Sequence, residues 1–182
     1  MGNIQVKFGN LIQEEADFIV NASNTELALG SGVSMAFRKH CSQNYPYQEE
    51  LNKLAENNAP ILKGDVIISN SGSAINFQYA LHVAIMNYSN KLIDKKPTYE
   101  ELEKALLSIV DIVKTISQEQ NIKDPKVAIP LLGCGVGGLD KENVFTMICN
   151  NFENQPFNVV IYLYDLVDKN WLFNLLQKDK NE

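Results

Sequence analysis

No stretch of this 182-residue chain comes near the run of about 20 apolar residues that would cross a bilayer. The first residues, MGNIQVKFGN, lack a basic segment followed by an apolar one, so no secretory signal is expected. Val6 stands where a myristoylation signal after Gly2 would need serine or threonine. Cysteine is sparse and odd in number: Cys41, Cys134 and Cys149 share no paired metal spacing, and reduced thiols in a cytoplasmic protein are expected. Basic stripes are missing too. With scattered lysines and a formal net charge of −6, tight phosphate-driven or sequence-specific binding to nucleic acid is not expected. Any anion held by this chain must be attracted by local backbone amides rather than by the field of the whole protein.

Glycine is also scarce, ten in all, which makes its distribution informative. Four of the ten fall within IPLLGCGVGGLD at 129–140, between an apolar run and a helix start at Asp140. A plain strand-to-helix turn needs one or two. Four imply that something approaches the backbone closely. A second small-residue loop, LALGSGVSMAF at 27–37, places Gly30, Ser31 and Gly32 before a helix beginning near Val33. Paired loops of this kind, each running into a helix N-terminus, suit a ligand with two phosphates, because the exposed amides and the helix ends are partly positive. Either loop alone reads more readily as a structural turn than as a ligand site.

The remaining pattern is that of an α/β domain. NIQVKF at 3–8 alternates like an exposed-edge strand, and DFIV, DVIISN, YALHVAI, KVAIPLL and NVVIYLYD read as five more strands. Helices are expected from Val33, over 47–58, over 99–119 with Leu102, Leu106, Ile109, Val113 and Ile116 on one face, after Asp140, and over 167–177. Strands that are apolar along their whole length are buried on both faces. A mixed, mostly parallel sheet of about six strands follows, with helices on both sides: one domain over 1–176 and a polar tail over 177–182. Ligands in such sheets lie beyond the carboxyl ends of the strands, where the glycine loops gather.

With these motifs assembled, the chain resembles the macro domain family in its stand-alone bacterial type. The likeness is carried by GNLIQEEADFIVNASNTELALGSGVSMAFRKH, KGDVIISNSGSAINFQYALHVAI, VAIPLLGCGVGGLDKENV and VVIYLYD, in order, from about Asn3 to Asp165. It implies a three-layer α/β/α sandwich that binds ADP-ribose or ADP-ribosylated macromolecules, with no cofactor and no metal. Carried over by position, Asn10 and Leu11 meet the adenine, where the family usually has an aspartate in place of Asn10. Asp17 and Phe18 frame that pocket, and Tyr164 stacks on the adenosine end. Gly133, Cys134, Gly135, Val136 and Gly137 wrap the diphosphate, with Gly30, Ser31, Gly32 and Val33 closing from the other side. Asn24 contacts the distal ribose, while Asn21 ties backbone together.

The family's catalytic groups are matched poorly. Ser34 stands where one class has an aspartate, and serine is a weak base. A second class uses a lysine after the middle strand and an aspartate in the phosphate loop. Those places fall at Asn87 or Asn90 and at Gly137, with Lys91 the nearest amine. Lys91 and Asn24 are therefore the weak catalytic candidates, and a binding module competes with an ADP-ribosyl or O-acetyl-ADP-ribose hydrolase. A protein for another nucleotide is disfavoured by the lack of GxxxxGK. Cys134 is expected to be a packed thiol, Asp140 a helix cap and His82 a satisfied core histidine, with Glu14–Glu15 and the 100–103 run on solvated faces.

Overall fold

The computed structural model describes residues 2–89, 95–164 and 166–178. Six strands form one sheet: β1 Ile4–Phe8, β2 Phe18–Asn24, β3 Val66–Asn70, β4 Tyr79–Met86, β5 Lys126–Pro130 and β6 Asn158–Leu163. Their order across the sheet is β1-β6-β5-β2-β4-β3. Every neighbouring pair is parallel except β3 with β4, so the carboxyl ends of five strands meet on one edge.

Helices α1 (Gly32–Cys41) and α2 (Tyr47–Asn57) cover one face. There Ile19, Leu27, Phe37, Tyr47 and Leu51 pack together. Helices α3 (Tyr99–Glu119) and α4 (Lys141–Phe152) cover the other, over Phe18, Val20, Leu81, Val127 and Ile161. Helix α5 (Leu166–Lys178) packs beside α4, where Trp171 meets the ring of Phe145 edge-on. The result is an α/β/α sandwich. The period of apolar residues seen in the sequence is why α3 forms as it does: Leu102, Leu106, Ile109 and Val113 are all fully buried. Its start is fixed by a capping box, with Thr98 accepting from the Glu101 amide and Glu101 accepting from the Thr98 amide. At the far end α5 runs to Lys178, and residues 179–182 lie outside the described residues.

Strand β2 is longer than its apolar DFIV core suggests. It continues through Asn21, Ala22, Ser23 and Asn24 because β4 alongside offers a parallel ladder as far as Met86. Asn21 is fully buried there, and it ties side chains rather than backbone. Its Nδ2 donates to His82 Nδ1 at 3.0 Å, and its Oδ1 accepts from Ser34 Oγ at 3.1 Å. The donation to Nδ1 leaves the imidazole proton on Nε2, facing Ser69 Oγ at 2.8 Å. Ser69 Oγ in turn donates to Asn70 O. Burial holds this imidazole neutral, with its pKa lowered from 6.5 to about 3. His82 is thus a satisfied core histidine.

Candidate functional site

A cavity of about 530 Å³ opens at the carboxyl edge of the sheet. Gly9, Asn10, Leu11 and Ile12 after β1 form one wall, and Gly32, Val33 and Ala36 of α1 another. Cys134 and Gly135 after β5 close the opposite side, with Pro130 and Leu131 beneath them. Tyr162, Tyr164, Lys141 and Asp168 complete it.

Of the residues expected from the sequence, Asn10, Leu11, Gly32, Val33, Cys134, Gly135 and Tyr164 are brought together here. Asn24 at the end of β2, and Gly30, Ser31, Gly133, Val136 and Gly137 of the same two loops, do not line the cavity. Tyr162 escaped notice although it stands two residues before Tyr164, which in a strand puts both on one face. Lys141 and Asp168 escaped because they lie on separate helices.

The loop from Gly133 to Leu139 folds on itself. Leu139 N donates to Gly133 O at 2.9 Å and Gly138 N to Gly135 O at 3.1 Å. Gly137 has no room for a side chain, since a Cβ there would sit 2.5 Å from Gly133 O. Gly135 is the reverse case: a Cβ would meet nothing within 4 Å. Among the described residues, the amides of Gly135, Val136 and Gly137 make no backbone hydrogen bond. Across the cavity, the first-turn amides of α1 lack partners one turn back, as at every helix start, and Ser31 caps them without a side-chain bond. Gly135 on one loop and Gly32 and Val33 on the other thus bring unbonded amides to the lining of one space, an arrangement suited to anionic oxygens. Cys134 is a packed thiol, pushed by burial up to about 12, with Lys141 only partly offsetting this.

The wall after β1 is a short 3₁₀ turn over Leu11–Gln13, capped by Asn10, whose Oδ1 accepts from Ile12 N at 3.3 Å. Asn76 secures the turn by donating to Ile12 O at 2.9 Å and Glu14 O at 2.7 Å. Glu14 is not on a solvated face: only 6% of it is exposed. It accepts from Lys7, Lys126 and the phenol of Tyr162. Burial alone would raise its pKa, but bonds from Lys126, Tyr162 and Lys7 outweigh it and hold the carboxyl down at about 2. The strand-period alternation that marks an exposed face fails here because Glu14 lies in a turn folded back over β1 and β6.

Asp17 and Phe18 do not frame the cavity. Asp17 precedes β2 and Phe18 begins it, at the opposite edge of the sheet, where Asp17 accepts from Lys126 N and Phe18 is fully buried against Tyr79. Tyr164 stands free at 80% exposure. Its backbone N donates to Asp168 at 3.1 Å, and Asp168 also takes an ion pair from Lys141.

At the positions of the family's catalytic groups, Ser34 is buried and its one hydroxyl hydrogen is shared between Asn21 Oδ1 and Ala22 O, a structural use. Asn87 accepts from Thr25 Oγ1 and Ser89 Oγ. Asn90 and Lys91 lie outside the described residues. Asp140 caps α4 by accepting from Asn143 N at 3.0 Å. Asn24 spends its amide on its own loop, accepting from Glu26 N and Ala28 N and donating to Ala28 O.

This arrangement matches known proteins. A DNA ADP-ribosyl glycohydrolase of Mycobacterium tuberculosis is 26% identical over 155 residues, which are 85% of this chain but only 40% of that protein. The human ADP-ribose glycohydrolase OARD1 is 25% identical over 149 residues, 81% of this chain and 82% of that one. Among solved structures, a variant of the Oceanobacillus iheyensis macrodomain with ADPR superposes with a TM-score of 0.75 at 18% identity, covering 98% and 94% of the two chains. The model of the family described as Macro domain matches residues 20–148, more than half of the sequence and both glycine loops, so the chain belongs to the macro domain family.

Proposed function

We propose that this protein binds ADP-ribose, free or as an ADP-ribosyl group on a macromolecule, through the cavity at the carboxyl edge of its sheet. One observation carries this: Gly135, whose amide makes no backbone hydrogen bond among the described residues, and Gly32 and Val33 in the first turn of α1 line one space of about 530 Å³. The diphosphate lies between the two loops, attracted by amides and helix ends in a chain whose net charge is unfavourable. Asn10 and Leu11 meet the adenine, and the exposed ring of Tyr164 stacks at the adenosine end. Gly30, Ser31, Gly133, Val136 and Gly137 act through the backbone shape of the loops, and Asn24 by holding the first loop beside the distal ribose. The residues form a single domain over 1–176, and the three free cysteines support a cytoplasmic setting.

Hydrolysis of the ADP-ribosyl bond is the second reading. It is favoured by the glycohydrolase names of the mycobacterial and human relatives. Lys91 is the candidate amine for it, since Ser34 is committed to Asn21 and Gly137 has no room for a carboxylate. Calorimetric titration with ADP-ribose tests binding, and no heat or thermal shift at millimolar ligand refutes it. A time course on ADP-ribosylated DNA, mono-ADP-ribosylated protein and O-acetyl-ADP-ribose, with wild type and Lys91→Ala, separates the two. Turnover by wild type that is lost in the variant makes the protein a hydrolase and Lys91 its catalytic amine.

A further inference from the structure

We infer that Gln48, on α2 and outside the cavity, is the positioning residue that sets the first glycine loop for ligand binding. The inference rests on the ADP-ribose reading of the site. Between β2 and α1 the chain crosses residues 25–31 without joining the sheet, so its backbone groups must find other partners. Thr25 N still reaches Met86 O, and Leu27 N turns back to Asn24 O. Beyond that point two side-chain amides take over. Asn24 serves Glu26 and Ala28. Gln48 serves the alternate positions Leu27 and Leu29: its Oε1 accepts from Leu29 N at 2.8 Å, and its Nε2 donates to Leu27 O at 3.1 Å. The amide of Gln48 thus copies a neighbouring strand, one acceptor and one donor facing alternate residues.

Its orientation is fixed as well. The second Nε2 hydrogen goes to Asn52 Oδ1 at 2.9 Å, one turn further along α2. A carboxylate at position 48 could not reproduce this, because it has nothing to donate to Leu27 O. The clamp also holds a conformation that the chain would not adopt alone. Leu27 has φ of 54°, the left-handed region that leucine rarely enters. Leu27 and Leu29 are buried on either side of the bonds, at 0% and 2% exposure. Among the described residues no side chain ties the loop past Leu29: Ser31 makes no capping bond, and Gly30 and Gly32 have no side chains. The direction in which Gly30–Gly32 presents its amides therefore follows from where Leu27 and Leu29 are pinned. A misdirected amide loses its bond to a phosphate oxygen steeply with angle.

The test compares wild type, Gln48→Met and Gln48→Glu. The first variant keeps the stem and removes both bonds; the second keeps the acceptor and removes the donor. Three measurements are made: ADP-ribose affinity by calorimetry, adenosine affinity by NMR titration, and amide hydrogen exchange. Adenosine has no phosphates, so it does not use the loop amides. The expected result is ADP-ribose affinity at least tenfold weaker in Gln48→Met and weakened less in Gln48→Glu, with adenosine affinity within twofold of wild type in both. Exchange at the Leu29 amide should quicken at least tenfold in Gln48→Met while β5 amides stay protected. Unchanged ADP-ribose affinity, or adenosine affinity falling in the same proportion, overturns the inference, as does unchanged exchange at Leu29. Wild type that fails to bind ADP-ribose at all refutes the reading of the site instead.

Discussion

Gly135→Glu is the sharpest perturbation of this site, because the structure separates its effect on the fold from its effect on the ligand. A Cβ at residue 135 meets no heavy atom within 4 Å, and the residue is not in the left-handed region. Nothing in the folded protein opposes the new side chain, so stability should change by no more than about 0.5 kcal/mol, as for other exposed positions. For a chain of this size that moves the melting temperature by roughly 1–2 °C. Gly135 nevertheless lines the cavity, and under the proposed binding mode a carboxylate there would face the diphosphate. Two unit charges about 5 Å apart at an effective dielectric of about 20 repel by about 3 kcal/mol, roughly a hundredfold in affinity, before any loss from occupied space. Calorimetry with ADP-ribose and a thermal melt of the free protein measure the two terms separately. The expected outcome is an unchanged melt and affinity at least a hundredfold weaker. Affinity within threefold of wild type would refute the reasoning and leave the loop a structural turn. Gly137→Ala provides the contrast, since its Cβ would strike Gly133 O at 2.5 Å and must distort the loop itself.

Asn10→Asp should keep the 3₁₀ turn, because a carboxylate oxygen can still accept from Ile12 N. It should sharpen the preference for adenine over hypoxanthine, since a carboxylate accepts from the adenine amino group but cannot donate to the hypoxanthine carbonyl. Competition between ADP-ribose and its inosine analogue measures this, and equal discrimination in both proteins excludes residue 10 from the base. Acidification should destabilise the fold through His82. The unfolded chain takes up a proton below pH 6.5 that the folded chain refuses until about 3, so stability is full above about pH 7 and falls as pH drops between those values. At pH 5 the loss reaches about 2 kcal/mol, 1.5 pH units at about 1.4 kcal/mol each. Glu14 contributes little between pH 7.5 and 5, because its stabilisation is lost only as pH falls below its ordinary 4.5, on the way to about 2. Urea unfolding at pH 7.5 and pH 5 checks the sum, and a difference under about 0.5 kcal/mol would mean that His82 is hydrated in the folded state.

Much of this protein was determined by the sequence alone. Periodicity sufficed for α3 and for the apolar strands β4, β5 and β6, because burial on one face or on both leaves a mark every few residues. Local chemistry sufficed for the cap at Asp140 and for the paired glycine loops, whose residue types are dictated by backbone geometry within a few positions. Other features were decided only when distant segments met. β2 extends through its polar end because β4 supplies a ladder. Glu14 is buried because Lys7, Lys126 and Tyr162, up to 148 positions away, converge on it. The cavity wall lacks Asp17 and Phe18 because the direction of β2 puts them at the other edge of the sheet. Gln48 reads in sequence as one polar residue of a polar helix, and its two bonds to the loop 19 and 21 residues earlier exist only because α2 lies beside that loop. Such partnerships depend on where whole elements pack, and no short window of residue types records that.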